Sequence, residues 1–270
     1  PAIMRLRGGM EGYRACDPQP GPSQEPSLEQ LAHDVYPSFS REHINDLVQT
    51  LEDRPGGARA TLVSLKNEYM KLDIALALWE ASTPRFYATT ELPLSTREYD
   101  YARQNRAAWA QQIRRGWRQE TEADNYFEPP AHNGQVLHLT MPLTGELPRL
   151  TARFEHISVL KLVGDHRPLQ VDAFLRLFPR LRHLNLQNIE LGRFAPYITS
   201  LPNLNELILS DCNITLTHES LLALSGLTRL VTLDLFGNPL GRIPNVENMP
   251  DLHYLDLSNT GITELPRGLL

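Results

Sequence analysis

One eleven-residue pattern, L-x-x-L-x-L-x-x-N/C-x-L, recurs along the second half of this 270-residue chain. It appears as LRHLNLQNIEL (181–191), LNELILSDCNI (204–214), LVTLDLFGNPL (230–240) and LHYLDLSNTGI (252–262). A looser copy begins ISVLKL at Ile157, and a degenerate first copy starts at Gly134 with Leu137 and Leu139. Successive starts are 23, 24, 23, 26 and 22 residues apart. A unit this short cannot bury its own leucines, so copies at such a period must stack and share one core.

The template is that of a leucine-rich repeat. Its L-x-L segment predicts a short strand with alternate side chains on opposite faces. Leu184 and Leu186, Leu207 and Leu209, Leu233 and Leu235, and Leu255 and Leu257 are expected to point inward. The ninth position calls for Asn or Cys to bond the turn backbone. Cys212 and Asn238 satisfy it, whereas Ile189 and Thr260 depart from it and predict less regular turns. LQVDAFLRLF and HESLLALSG predict helical returns, and the Pro-rich GRIPNVENMP an extended or 3-10 one.

Ahead of the repeats the apolar spacing becomes helical. Ser40 is a candidate N-cap for a helix with Ile44, Leu47, Val48 and Leu51 on one face, broken by Pro55-Gly56-Gly57. Leu62, Leu65, Tyr69, Leu72, Leu76 and Trp79 mark a second helix that Pro84 ends. A third is expected from about Thr96 to Glu120, with Trp109, Ile113 and Trp117 buried and Arg103, Arg114 and Arg118 on the opposite side. The last two suit an antiparallel hairpin covering the first coil. The expected architecture is an α+β repeat protein in three parts. Residues 1–27 form a linker or loop, 28–130 a helical domain capping the solenoid, and 131–270 about six repeats with a short-stranded parallel concave sheet.

Composition narrows the function. A net charge of −6 argues against nucleic acid as partner, since phosphate binding needs clustered surplus cations. No apolar run reaches the length of a membrane span. Two cysteines imply no disulfide framework. Cys212 reads as a buried structural thiol, and Cys16 has no His nearby in sequence. Neither HExxH, C-x-x-C, GxSxG, a P-loop nor GxGxxG occurs, so no metal, cofactor or catalytic residue is expected. The arginine-rich third helix reads as a solvated basic face over a packed stripe. The chain opens Pro1-Ala2-Ile3-Met4-Arg5 and closes ITELPRGLL, so a longer parent is expected.

The expected working surface is the concave sheet. The candidate partner-binding residues are Lys161, His183, Asn185, Gln187, Glu206, Ile208, Asp234, Phe236, Tyr254 and Asp256. Val159, Val163, Ser210, Thr232 and Ser258 complete the rows. Lys161, Arg182 and His183 precede Glu206, Asp211, Asp234 and Asp256, a basic-to-acidic gradient with Phe236 and Tyr254 as exposed anchors.

The helical run YPSFSREHINDLVQTLEDRPGGARATLVSLKNEYMKLDIALALWEAS, then RQNRAAWAQQIRRGWRQE, then repeats with Leu147-Pro148, Leu201-Pro202 and Leu265-Pro266 carry a further likeness. Over residues 28–270 the chain resembles bacterial leucine-rich-repeat effectors with a novel-type E3 ubiquitin ligase domain, in particular the large members with a dermonecrotic-toxin-like region. The resemblance implies secretion by a bacterium, action in the host cell cytoplasm and selection of a host protein by the repeats. It also implies the parent's own catalytic domain as a second partner. The family's Cys-x-Asp motif is not met by Cys16-Asp17-Pro18 or Cys212-Asn213-Ile214, so the resemblance places no ubiquitin-accepting cysteine within this chain. The alternative from a different class is a non-enzymatic binding module or an adhesin.

Overall fold

The computed structural model describes residues 25–87, 90–125 and 134–269. Most of the expected linker, Cys16 and the expected boundary at 130/131 lie outside the described residues.

Four helices come first, and side-chain caps start three of them. Ser27 begins α1 (Leu28–Val35) by accepting from Gln30 N, and Ser40 begins α2 (Arg41–Glu52) by accepting from His43 N. The break after α2 needs glycine: Gly56 and Gly57 have φ of 90° and 74°, where a Cβ is strained. Then follow α3 (Gly57–Ala81) and α4 (Thr96–Trp117), the latter opened by a capping box between Ser95 and Glu98. Leu31, Ala32, Ile44, Leu51, Ala58 and Leu62 form a small core among α1, α2 and the start of α3.

A larger core runs without interruption from Leu72 and Leu76 of α3, through Trp109, Ile113 and Trp117 of α4, into the repeats. There the six strands are β1 (Gln135–Leu139), β2 (Ile157–Pro168), β3 (His183–Glu190), β4 (Glu206–Ser210), β5 (Thr232–Asp234) and β6 (Tyr254–Asp256). They form one sheet in sequential order, every neighbouring pair parallel. The register stacks Leu137, Leu160, Leu184, Leu207, Leu233 and Leu255 in one row, and Leu139, Leu162, Leu186 and Leu209 in the next. All but Leu255 are essentially buried. Burying one leucine contributes about 1.5–3 kcal/mol, so these two rows are the main stabilising element of this half.

The returns differ as their sequences do. The segment expected to be helical before β3 forms only α5 (Asp172–Leu175), because Val171, Phe174, Leu175, Leu177 and Phe178 are all buried. A straight helix would turn Leu177 away from the face the others share. A 3-10 turn at Pro196–Ser200 and α6 (His218–Ser225) fill the next two returns, and none joins β5 to β6.

Asn238 makes the expected turn bonds. Its Oδ1 accepts from Cys212 N and Ile214 N, both at 3.0 Å, and its Nδ2 donates to Leu235 O and Leu209 O. Thr260 substitutes with a hydroxyl that donates to Leu257 O at 2.6 Å and accepts from Ile262 N. Ile189 can do neither, and the strands continue instead: β2 extends to Pro168 and pairs Arg167 with Ile189 after a register shift.

The helical region seals the first coil through polar bonds as well as apolar contact. Trp109 Nε1 donates to Met141 O at 2.8 Å, Trp79 Nε1 to Glu146 O at 2.9 Å and Asn105 Nδ2 to Pro142 O at 2.9 Å. Arg106 is 3% exposed, donates to Trp79 O and Thr144 O, and stacks on the Trp79 ring. Beyond α4, residues 122–124 pair antiparallel with β1, covering its outer edge. The arginines of α4 do not share one solvated side. Arg103 is exposed, but Arg114 bonds Asp73 and Glu80, and Arg118 lies 4.0 Å over the Tyr69 ring. Arg114 and Arg118 adjoin Trp117 on the helix, so both reach α3.

Candidate functional site

The sheet has a leucine face turned to the core and an opposite, open face, because side chains alternate along each strand. The register sorts the open face into rows. One row runs Val159, His183, Glu206, Thr232, Tyr254, and the next Lys161, Asn185, Ile208, Asp234, Asp256. Val163, Gln187 and Ser210 align in a third, and Phe236 follows β5 two residues beyond Asp234. The structure therefore brings the sequence-derived candidates onto one surface. His138 joins them as the β1 partner of Lys161; it sits in the Leu137-His138-Leu139 strand and is legible from the same alternation.

Exposure corrects part of the expectation. His183 and Asn185 are 7% and 8% exposed, because they sit in central strands flanked by Val159, Lys161, Glu206 and Ile208. Phe236 is half-buried rather than exposed, whereas Tyr254 is 52% exposed. Lys161, Gln187, Glu206, Ile208, Asp234 and Asp256 are half-buried.

Along the expected charge gradient, His183 Nδ1 lies 2.8 Å from a Glu206 carboxylate oxygen on the next strand. The last two strands carry two further carboxylates. Asp234 accepts from Phe236 N at 2.9 Å and from Ser210 Oγ at 3.4 Å. Burial pushes its carboxyl above the ordinary value, and the neighbouring Asp256 adds to the effect. Asp256 accepts from Ser258 N at 2.8 Å, and bonds from Ser258 hold its carboxyl below the ordinary value. At the other end, burial pushes the His138 imidazole down, with Lys161 adding to it.

Cys212 is fully buried, its Sγ 3.4 Å from Leu186 O, and burial pushes the thiol up to about 12, so it stays protonated and unreactive at neutral pH. Among the described residues no group of three or more His, Cys, Asp or Glu side chains is placed to hold a metal ion, and no helix is long and apolar enough to cross a membrane.

Sequence reasoning missed a mostly apolar cavity of about 810 Å³ between the helical region and the first coils, with Trp109, Leu147 and Phe174 in its walls. Its walls come from segments distant in the chain, which no local pattern connects. Its charged rim is internally paired, Arg149 with Glu146 and Arg167 with Asp165, and so offers little to orient a ligand.

No curated protein and no solved structure matches the chain. Residues 228–268, which hold β5 and β6 and the two coils around them, match the family model described as Leucine Rich repeats (2 copies).

Proposed function

We propose that the chain is the protein-recognition region of a larger protein, and that the open face of its sheet is the concave binding surface of a leucine-rich-repeat solenoid. The observation that supports this most directly is the in-register, six-stranded parallel sheet, which aligns candidate side chains into rows across neighbouring coils. Six strands span about 24 Å, a breadth suited to a protein partner. Rigid support favours such a surface, since residues held by a packed scaffold lose less freedom on binding. The buried leucine rows and the sealed first coil supply that support.

The finer part of the proposal rests on the resemblance of residues 28–270 to bacterial effectors of the novel ubiquitin-ligase type. On that reading the parent is secreted by a bacterium and acts in the host cytoplasm. The repeats hold a host protein beside a ubiquitin-charged cysteine that lies outside this chain. Transfer would then be accelerated by proximity.

The test uses the full natural polypeptide with ubiquitin, its activating and conjugating enzymes, and ATP. A reductant-sensitive ubiquitin adduct on a cysteine other than Cys16 or Cys212 is expected. Its absence, under conditions where a ligase of that type forms one, would reduce the function to non-enzymatic protein binding.

A further inference from the structure

The helix α3 is apolar on two opposite sides. One side sends Leu72, Leu76 and Trp79 into the main core and Leu62 into the small one. The other carries Val63, Met70, Ile74 and Leu78, which are 43%, 53%, 58% and 67% exposed. Their spacing places them in one stripe along about 22 Å of helix. A helix with apolar side chains all round is ordinarily buried, and a contiguous apolar stripe left open on a folded surface marks an interaction site. The charges beside the stripe identify what covers it. Arg59, Lys66, Asp73 and Glu80 recur every seven residues along one flank, two cations followed by two carboxylates. Each has an intrachain partner, Glu25, Asp34 or Arg114, yet all four keep exposed surface. Read in the reverse direction, this order is complementary to itself.

We propose that α3 packs antiparallel against α3 of a second copy of this chain, about a twofold axis near Met70. Such an axis sets the same flank of both helices side by side, so that Arg59 meets the second copy's Glu80 and Lys66 meets its Asp73. The same register opposes Val63 to the second copy's Ile74, Met70 to its Asn67 and Ala60 to its Ala77. One register therefore satisfies the apolar stripe and the charged flank together, as a two-stranded coiled coil requires. A parallel pair would instead bring Lys66 against the second copy's Lys71, and like charges there disfavour it. From Ala60 to Ala81 the strip is about 32 Å long and about 10–12 Å wide, on the order of 350 Å² per copy. That is less than the roughly 800 Å² per partner of a standard interface, so the dimer is weak and concentration-dependent. Because the four charged residues already have intrachain partners, they set orientation and register more than strength. This surface is separate from the open face of the sheet and does not depend on it.

Sedimentation equilibrium of the full chain between about 1 μM and 1 mM is the test. The average mass is expected to rise with concentration from 30.6 kDa toward twice that value. Ile74→Glu, at an exposed position, should abolish the rise and leave the melting curve by circular dichroism unchanged. Lys66→Glu and Asp73→Lys each set like charges opposite one another across the axis, and each should weaken self-association about tenfold. An equimolar mixture of those two variants should associate again, because both pairs at these positions then join opposite charges. Loss of the intrachain pairs Lys66–Asp34 and Arg114–Asp73 cannot produce that rescue. Leu265→Glu, which removes an exposed apolar side chain from the last coil, should leave the dimer intact. A monomer at every concentration, a mixture no better than its components, or a dimer lost with Leu265→Glu and kept with Ile74→Glu overturns the inference.

Discussion

At the scale of single residues, the turn after each strand carries more specification than the template records. The eighth position is left-handed in all four regular copies, with φ of 55° at Asn188, 53° at Asp211, 71° at Gly237 and 58° at Asn259. Asn, Asp and Gly are the residues that tolerate this conformation. At Gly237 a Cβ would also meet Asp211 Oδ1 at 2.0 Å. Gly237→Ala is therefore expected to lose about 1–3 kcal/mol in urea unfolding, through backbone strain and that clash. Asn259→Gly, at the same left-handed position, should change stability by less than about 0.5 kcal/mol, because glycine adopts that conformation freely. Asn238→Ala should cost about 2–4 kcal/mol, since it strips partners from two buried N–H groups and the carbonyls that Asn238 reaches.

Among elements, the seam between α4 and the first coil decides how the two halves act together. His156 bonds Gly116 O on α4, and burial pushes its imidazole below the ordinary value. The sign follows from linkage. The unfolded chain takes up a proton near pH 6.5 while the folded chain resists it, so this contribution is fully present above about pH 6.5 and is lost as pH falls toward the depressed folded value. The melting temperature should drop between pH 7 and pH 5, and His156→Gln should flatten that part of the profile. Arg106 tests the same seam by charge and packing. Its removal leaves Thr144 O and Trp79 O without this donor and opens a gap beside Trp79, so Arg106→Ala should cost about 2–4 kcal/mol in chemical denaturation.

Across the whole molecule, one core continuous from α3 to the β5 coil predicts that most of the described structure unfolds together. Fluorescence from Trp79, Trp109 and Trp117 in the helical region should then report the same transition as circular dichroism of the full chain. Two separated transitions would show that the seam does not couple the halves. Binding belongs to this scale as well. Asp234→Lys with Asp256→Lys inverts the charge of the acidic end without touching the leucine rows, so partner capture should be abolished while the unfolding midpoint changes little. Capture that survives the double substitution would place the interaction elsewhere.

What the sequence determined by itself is what repeats locally: the stacked leucines, the alternation that put ten candidates on one surface, the N-cap at Ser40 and the turn bonds of Asn238. Period and residue type suffice there, because each feature depends on neighbours a fixed distance along the chain. Tertiary structure decided what depends on segments far apart. Arg106 is buried because two carbonyls and a Trp ring surround it, and Arg114 faces α3 because Asp73 and Glu80 await it there. His183 and Asn185 look solvent-facing by alternation, yet flanking strands bury them, and Phe236 is half-buried for all its place on the open face. Exposure and pairing are properties of assembled surfaces. No pattern along one strand contains the side chains that the next coils bring beside it, and that is why the composition of the face was legible while its geometry was not.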